Sequence, residues 1–164
     1  MNRLALPICA LLAFAVPASA MAEGLCTSDE VAIFNATMKG GDRVVSLCAD
    51  HADKATWLQA RMGRGGQVGR TFPETRAGSL KKFVFRRYTR PRTTYLKLEF
   101  DTGGRNYTIF ESFDGSENPP DASSLRIRSL AGGNEISDTE LVRTTPPLNL
   151  MRLENRVTTK DFDE

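Results

Sequence analysis

Imidazole and thiol groups are scarce in this sequence, which has one histidine and three cysteines among 164 residues. Protein zinc sites are built mainly from such ligands. His51 is the only imidazole and the cysteines are not closely spaced, so we expect no bound metal. A Ser-His-Asp triad would need a serine brought to His51 by folding, and no nucleophile-elbow pattern is present. These absences predict a protein without a cofactor and without catalytic activity.

Long hydrophobic runs are also rare, and the one that stands out is at the N-terminus. Leu4–Val16 is about 13 residues long, too short to span roughly 30 Å of hydrocarbon. Arg3 precedes the run, and small-residue cleavage motifs follow it at Ala18-Ser19-Ala20 and Ala20-Met21-Ala22. This pattern predicts a signal peptide over residues 1–22, with a membrane anchor as the alternative. We expect a periplasmic protein that has no transmembrane segment once the signal peptide has been removed.

The cysteines point to one disulfide. Cys9 falls within the predicted signal peptide, which leaves Cys26 and Cys48. In an oxidising compartment an even pair of cysteines indicates a bridge, and two free thiols are the alternative. The chain around Thr27-Ser28-Asp29 must then fold back, and these turn-forming residues permit it.

Short apolar stretches, separated by Gly, Pro, Asn and Asp, recur about every ten residues. This spacing predicts an all-β protein: an antiparallel sandwich or a partly open barrel of about eight short strands. Residues 147–153 suit a short C-terminal helix or a final strand. We expect one β-domain over residues 23–157, followed by a polar, disordered tail over residues 158–164.

The first predicted hairpin joins Val31–Met38 to Arg43–Cys48 through Gly40-Gly41. This turn sets Phe34 opposite Leu47 and Ala36 opposite Val45, and it sets Ile33 opposite Cys48. A third strand is predicted at Thr56–Met62, followed by a long, glycine-rich, basic loop at Gly63–Gly78.

A three-strand meander follows, at Lys82–Tyr88, Thr94–Phe100 and Asn106–Phe113. The turns at Pro91 and Gly103-Gly104 are inferred independently. Together they place one apolar set on one face of the meander, which contains Phe83, Phe85, Leu96, Leu98, Phe100, Tyr107 and Ile109.

Positive charge is concentrated in one block. Residues 61–97 hold eleven Lys and Arg and a single acid, Glu74. Within this block the hairpin around Pro91 combines guanidinium groups with an aromatic ring, a pairing that suits sugars, phosphates and carboxylates. The candidate binding residues are Arg86, Arg87, Arg90, Arg92, Tyr95 and Lys97. The alternative is a solvated edge whose charges discourage aggregation.

The glycine-rich stretch Gly63–Arg70 superficially resembles a nucleotide-binding loop. The third glycine of the dinucleotide fingerprint would fall on Val68, and no crossover helix follows. We therefore interpret this segment as a mobile loop and not as a phosphate site.

A family resemblance is carried by Glu30–Phe34, Val44–Ala49 and Trp57–Arg64, together with the strands around Gly103-Gly104. Over residues 26–112 they resemble a set of small, uncharacterised periplasmic proteins of proteobacteria. The resemblance implies a secreted, disulfide-bearing, all-β protein, and it brings no assigned activity and no catalytic residue. Ala36 stands where that set has a cysteine.

The function we expect is a non-catalytic binding module for an anionic envelope glycan, lipid or protein. Nucleic acid is not an expected partner, because the chain is predicted to be exported. One alternative is a periplasmic inhibitor of lysozyme-type enzymes, which would use the acidic C-terminal third. Another is an envelope hydrolase that uses carboxylates or His51.

Overall fold

The computed structural model describes residues 24–115, 123–144 and 150–162, and the predicted signal peptide lies outside them. Within these ranges no helix is long and apolar enough to cross a membrane. The described residues contain ten strands, which form one sheet: β1 (Val31–Met38), β2 (Arg43–Ala49), β3 (Leu58–Arg64), β4 (Gln67–Phe72), β5 (Val84–Arg90), β6 (Thr93–Thr102), β7 (Arg105–Asp114), β8 (Ser123–Ala131), β9 (Asn134–Arg143) and β10 (Thr158–Lys160).

The sheet has the order β10-β5-β6-β7-β8-β9-β1-β2-β3-β4 and curls into an open half-barrel. Neighbouring strands run antiparallel, except that β10 runs parallel to β5. The all-β prediction is confirmed, and of its two alternatives the partly open barrel is the observed one. The strand count is higher than expected, because β4 and β10 come from segments predicted to be irregular.

The first hairpin has the predicted register over most of its length. Phe34 lies opposite Leu47, and Ala36 lies opposite Val45. A bulge between Ala32 and Phe34 shifts the remainder, so that Cys48 lies opposite Ala32 instead of Ile33. The bulge lets Ile33 and Phe34 both enter the core, where each is essentially unexposed.

The predicted loop at 63–78 is wrong over its first half, where β3 and β4 form a tight hairpin. Gly65 and Gly66 both have positive φ angles (52° and 77°), as a two-residue turn requires. Four of the six residues of β4 are polar or glycine, and Val68 is exposed. The strand therefore has no alternation of apolar and polar residues from which it could be predicted.

The meander of β5, β6 and β7 is confirmed. Leu98 lies between Phe85 and Ile109, and Phe100 lies opposite Tyr107. These side chains point into the curl and form one core with those of β1, β2 and β3. Phe72 of β4 stacks on Phe100 across the curl, with ring centroids 5.4 Å apart. The two halves of the sheet therefore close on each other.

The C-terminal segment is more ordered than the sequence suggests. Leu150–Leu153 forms a single 3-10 turn, and both leucines are fully buried. The expectation of a disordered tail from residue 158 is corrected, since β10 pairs with the edge of β5. Backbone hydrogen bonds to an open sheet edge do not require apolar side chains, which explains why a polar segment pairs here.

Cys26 and Cys48 form a disulfide, as predicted, with their Cα atoms 5.4 Å apart. The intervening chain folds back in a turn, in which the Glu30 amide donates to the Thr27 carbonyl at 3.1 Å. The Ser46 hydroxyl accepts a bond from the Leu25 amide. The N-terminal segment thus covers the outer side of β2.

Candidate functional site

The six residues predicted as a binding cluster do not share one surface. The β5–β6 loop is Pro91-Arg92, and strand alternation sends Arg86 and Arg90 to the outer face of the sheet. Tyr95 and Lys97 point to the same outer face from β6. Arg87 points to the opposite face, and Arg92 lies in the turn itself.

Arg87 and Arg92 have structural partners. Both Glu154 carboxylate oxygens accept bonds from Arg87 at 2.9 Å, beside the 3-10 turn. Arg92 has a φ of 66° and donates to the carbonyl of Gly115. Each side chain holds two segments of the chain together, so neither belongs to the candidate binding surface.

Arg86 lies on the outer face but is engaged there. Its Nε donates to Glu99 at 3.0 Å, and its Nη1 donates to the carbonyl of Asp161 at 2.5 Å. These bonds tie the C-terminal segment to β5. The main role of Arg86 is therefore to hold these segments in place and not to bind a ligand.

Three of the predicted residues remain on the outer face, where they lie beside three aromatic residues. We call this surface the aromatic–cationic face, and it is defined by Tyr88, Arg90, Tyr95, Lys97, Phe110 and Phe162. They line a shallow cleft of about 380 Å³. Cross-strand pairing sets Tyr88 beside Tyr95 and Lys97 beside Phe110. The register of three strands thus builds this face.

The aromatic rings of this face are continuous. Tyr95 stacks on Tyr88 at 6.2 Å and on Phe110 at 6.0 Å between ring centroids. Phe162 contacts both tyrosine rings, and the Lys97 ammonium lies 3.9 Å from the Phe162 ring centroid. Such an arrangement offers flat apolar surfaces next to cations.

Further charges flank the face on β8 and β9. Arg126 is the cross-strand neighbour of Phe110 and donates to Asp138 at 3.0 Å. That hydrogen bond lowers the pKa of Asp138. Burial acts in the opposite direction, but the positive charges of Arg126 and Arg128 lower the pKa further. Asp138 is therefore ionised at neutral pH and largely neutralises these arginines.

Three members of the face, Tyr88, Phe110 and Phe162, are absent from the residues predicted from sequence. Tyr88 and Phe110 could have been found, because alternation places them on the face of Tyr95. Phe162 gives no such signal, since it lies in a polar segment whose path depends on the pairing of β10 with β5.

Several acidic side chains of the C-terminal third, within the described ranges, are engaged with cations of the chain. Glu111 pairs with Arg143, Glu135 with Arg128, and Glu140 with Lys39. These bonds reduce the negative charge that a basic enzyme would meet. The alternative of a lysozyme-type inhibitor gains no support from this surface.

His51 is exposed and lies between two carboxylates that have other partners. Asp50 accepts bonds from the amide and hydroxyl of Thr56, and Asp53 pairs with Arg152. Cys26, Glu30 and Cys48 have donor atoms within 4.8 Å of one another. Because both cysteine sulfurs are in the disulfide, this group does not have the thiolates that a metal needs.

No family model, no curated protein and no solved structure matches this chain.

Proposed function

We propose that this protein is an exported, non-catalytic binding module of the bacterial periplasm, and that it holds an anionic glycan of the cell envelope on the aromatic–cationic face. The observation that carries the proposal is the continuous row of rings formed by the stacked Tyr88, Tyr95 and Phe110, with the tilted ring of Phe162 against both tyrosines and Lys97 beside it.

Solvent-facing aromatic rings in contact with one another are matched to ligands with flat apolar faces. The C–H groups of a sugar ring pack on the negative face of an aromatic ring. Lys97 and Arg90 add positive charge at the edge of the same cleft, where carboxylate or phosphate groups of a glycan would lie.

The site is built on strands, which favours a preformed surface. Phe110 lies in the middle of β7 and Tyr95 lies near the start of β6; both strands have ten residues and are paired on both sides. A ligand therefore does not have to order these side chains when it binds, which reduces the entropic cost of binding.

The binding test uses solubilised peptidoglycan and lipopolysaccharide as probes, with affinities from titration calorimetry. We expect Tyr95→Ala and Lys97→Gln each to weaken binding about tenfold, the size of a single aromatic or charged contact. Phe113→Ala and Arg156→Gln are the matched controls, because both residues are exposed and lie off the aromatic–cationic face. Charge reversal at Arg86, Arg87 or Arg92 is avoided, since these side chains hold chain segments together.

Two outcomes would contradict the proposal. One is a wild-type protein that binds neither probe. The other is an equal loss in the control variants, which would mean that the aromatic–cationic face has no special part in binding.

The compartment is tested separately, by fractionating cells that express the full chain and sequencing the N-terminus of the product. We expect a periplasmic product that begins at Met21 or Glu23, after one of the two small-residue motifs. An uncleaved product in the cytoplasm or membrane fraction would refute export while leaving the binding result intact.

A further inference from the structure

Most arginines of this protein have an acidic partner. Within the described ranges, ion pairs are formed by Arg61, Arg64, Arg76, Arg86, Arg87, Arg126, Arg128, Arg143 and Arg152. Six arginines of the described ranges have no carboxylate within ion-pair distance: Arg43, Arg70, Arg90, Arg92, Arg105 and Arg156. Three of the six, Arg43, Arg70 and Arg105, line the same cleft.

This cleft, which we call the arginine cleft, lies at the mouth of the half-barrel. It has a volume of about 500 Å³ and is formed between the β2–β3–β4 end of the sheet and the start of β7. Arg43 enters from β2, Arg64 and Arg70 from the β3–β4 hairpin, and Arg105 from β7. The fold thus gathers cations that are up to 62 positions apart in sequence.

Four arginines line the cleft, and no acidic residue does. Asp42 pairs with Arg64 at 3.6 Å, and both of these side chains are largely exposed. Like charges placed together without counter-charges repel each other, and a concave wall of low dielectric constant focuses their field on an incoming anion.

The cleft is not purely polar. Met38, Val44, Met62 and Val68 supply apolar lining beside the arginines. Val68 is 47% exposed although it is aliphatic, and it lies at the wall of this cleft. An occupant with an apolar group next to its charge would cover this surface.

One arginine is held in place before any ligand arrives. The Nη1 of Arg70 donates to the Tyr107 hydroxyl at 3.1 Å, across the mouth of the half-barrel. A neutral hydroxyl does not compensate the charge of the guanidinium, so Arg70 lines the cleft with its full positive charge. Planar guanidinium groups bind phosphate oxygens in pairs of parallel hydrogen bonds.

We infer that the arginine cleft is a binding site for a phosphate-bearing ligand that carries an apolar group, and that it is separate from the aromatic–cationic face. The phosphate is bound by the side chains of Arg43, Arg64, Arg70 and Arg105, and not by glycine backbone groups as in nucleotide-binding loops. The two sites share no residue, so this inference does not depend on the proposed function.

The test is titration calorimetry of the purified protein with short-chain dihexanoyl phosphatidic acid, with inorganic pyrophosphate, and with dihexanoyl phosphatidylcholine. We expect the phosphatidic acid to bind, pyrophosphate to bind more weakly because it leaves the apolar lining uncovered, and the zwitterionic lipid not to bind. Arg70→Gln/Arg105→Gln should weaken the binding of phosphatidic acid about 100-fold, tenfold for each lost guanidinium.

The matched control is Lys54→Gln/Arg156→Gln, which removes two exposed cations that do not line the cleft. It should bind phosphatidic acid like the wild type, and thermal unfolding checks that both double variants fold. The inference is overturned if the wild type does not bind phosphatidic acid, if the zwitterionic lipid binds equally well, or if the control variant loses as much affinity as the cleft variant.

The phosphate could belong to a membrane lipid or to a soluble phosphate ester. Cosedimentation with phosphatidylcholine vesicles that contain phosphatidic acid distinguishes these two ligands. Vesicle binding that the cleft variant loses identifies a membrane lipid headgroup. Binding of the short-chain compound without vesicle binding identifies a soluble phosphate ester. Either result supports the site.

Discussion

At the scale of single residues, Glu30 is the clearest case of a charge fixed by its surroundings. Its side chain is 1% exposed and is held by both terminal nitrogens of Arg61, at 2.6 and 2.8 Å. The Thr27 amide also donates to it, and Arg76 forms a second ion pair. Burial disfavours the ionised form, but these hydrogen bonds outweigh burial and lower the pKa of Glu30.

The prediction at this scale concerns Glu30→Gln. It leaves the buried Arg61 guanidinium without its counter-charge, and we expect the free energy of unfolding at neutral pH to fall by about 3 kcal/mol. The pKa of Glu30 is lower in the folded protein than its ordinary value of 4.5. The stability from ionised Glu30 is therefore complete above 4.5 and is lost as the pH falls below 4.5 and through the lower pKa of the folded protein. Urea unfolding over this range should show the two proteins converging in acid.

Glu135→Gln is the control, because Glu135 and its partner Arg128 are each 53% exposed. An exposed pair of this kind contributes little. A loss at Glu30→Gln no greater than at Glu135→Gln would show that the buried network does not stabilise the fold.

At the scale of elements, the β3–β4 hairpin depends on a close approach of two backbones. Gly63 lies at an irregularity in the pairing, opposite Val68 while Met62 lies opposite Arg70. A Cβ atom at Gly63 would overlap the carbonyl oxygen of Gln67. The glycine therefore sets the path by which β4 brings Arg70 to the arginine cleft.

We expect Gly63→Ala to lower the free energy of unfolding by more than about 2 kcal/mol, since the backbone of β4 must move. It should also weaken the binding of phosphatidic acid, because the wall of the arginine cleft shifts. Gly41→Ala is the matched control, as its nearest non-neighbouring atom is 4.0 Å away. Equal unfolding midpoints for the two variants in urea would refute the close approach.

At the scale of the whole molecule, two closures hold the half-barrel together. The rings of Phe72, Phe83 and Phe100 join β4 to the meander across the curl, with centroids 5.4 to 5.7 Å apart. The disulfide between Cys26 and Cys48 ties the N-terminal segment to β2. Both closures link parts of the chain that are distant from each other in sequence or in the sheet.

Cys26→Ser/Cys48→Ser should lower the free energy of unfolding by about 3 kcal/mol, because the open chain gains entropy in the unfolded state. Reduction of the wild-type protein should lower it by a similar amount, and urea unfolding measures both. An unchanged midpoint after full reduction would contradict this role.

The strand class, the disulfide and much of the register can be predicted from the sequence, because these features depend on local rules. Alternation along β5, β6 and β7 and the positions of Gly103 and Gly104 suffice to pair Phe100 with Tyr107. The polar strands β4 and β10 could not be predicted in this way, since backbone pairing with an existing edge leaves no apolar pattern.

Which charges a ligand can reach depends on the fold and not on the sequence pattern. The block of residues 61–97 has one acid in sequence, yet Glu30, Glu99 and Glu154 from outside it neutralise Arg61, Arg76, Arg86 and Arg87. Ion pairing acts over a few ångströms and is indifferent to separation along the chain. Folding therefore distributes the cations of this block among structural ion pairs and the aromatic–cationic face, and in the arginine cleft it joins Arg64 and Arg70 to Arg43 and Arg105 from outside the block.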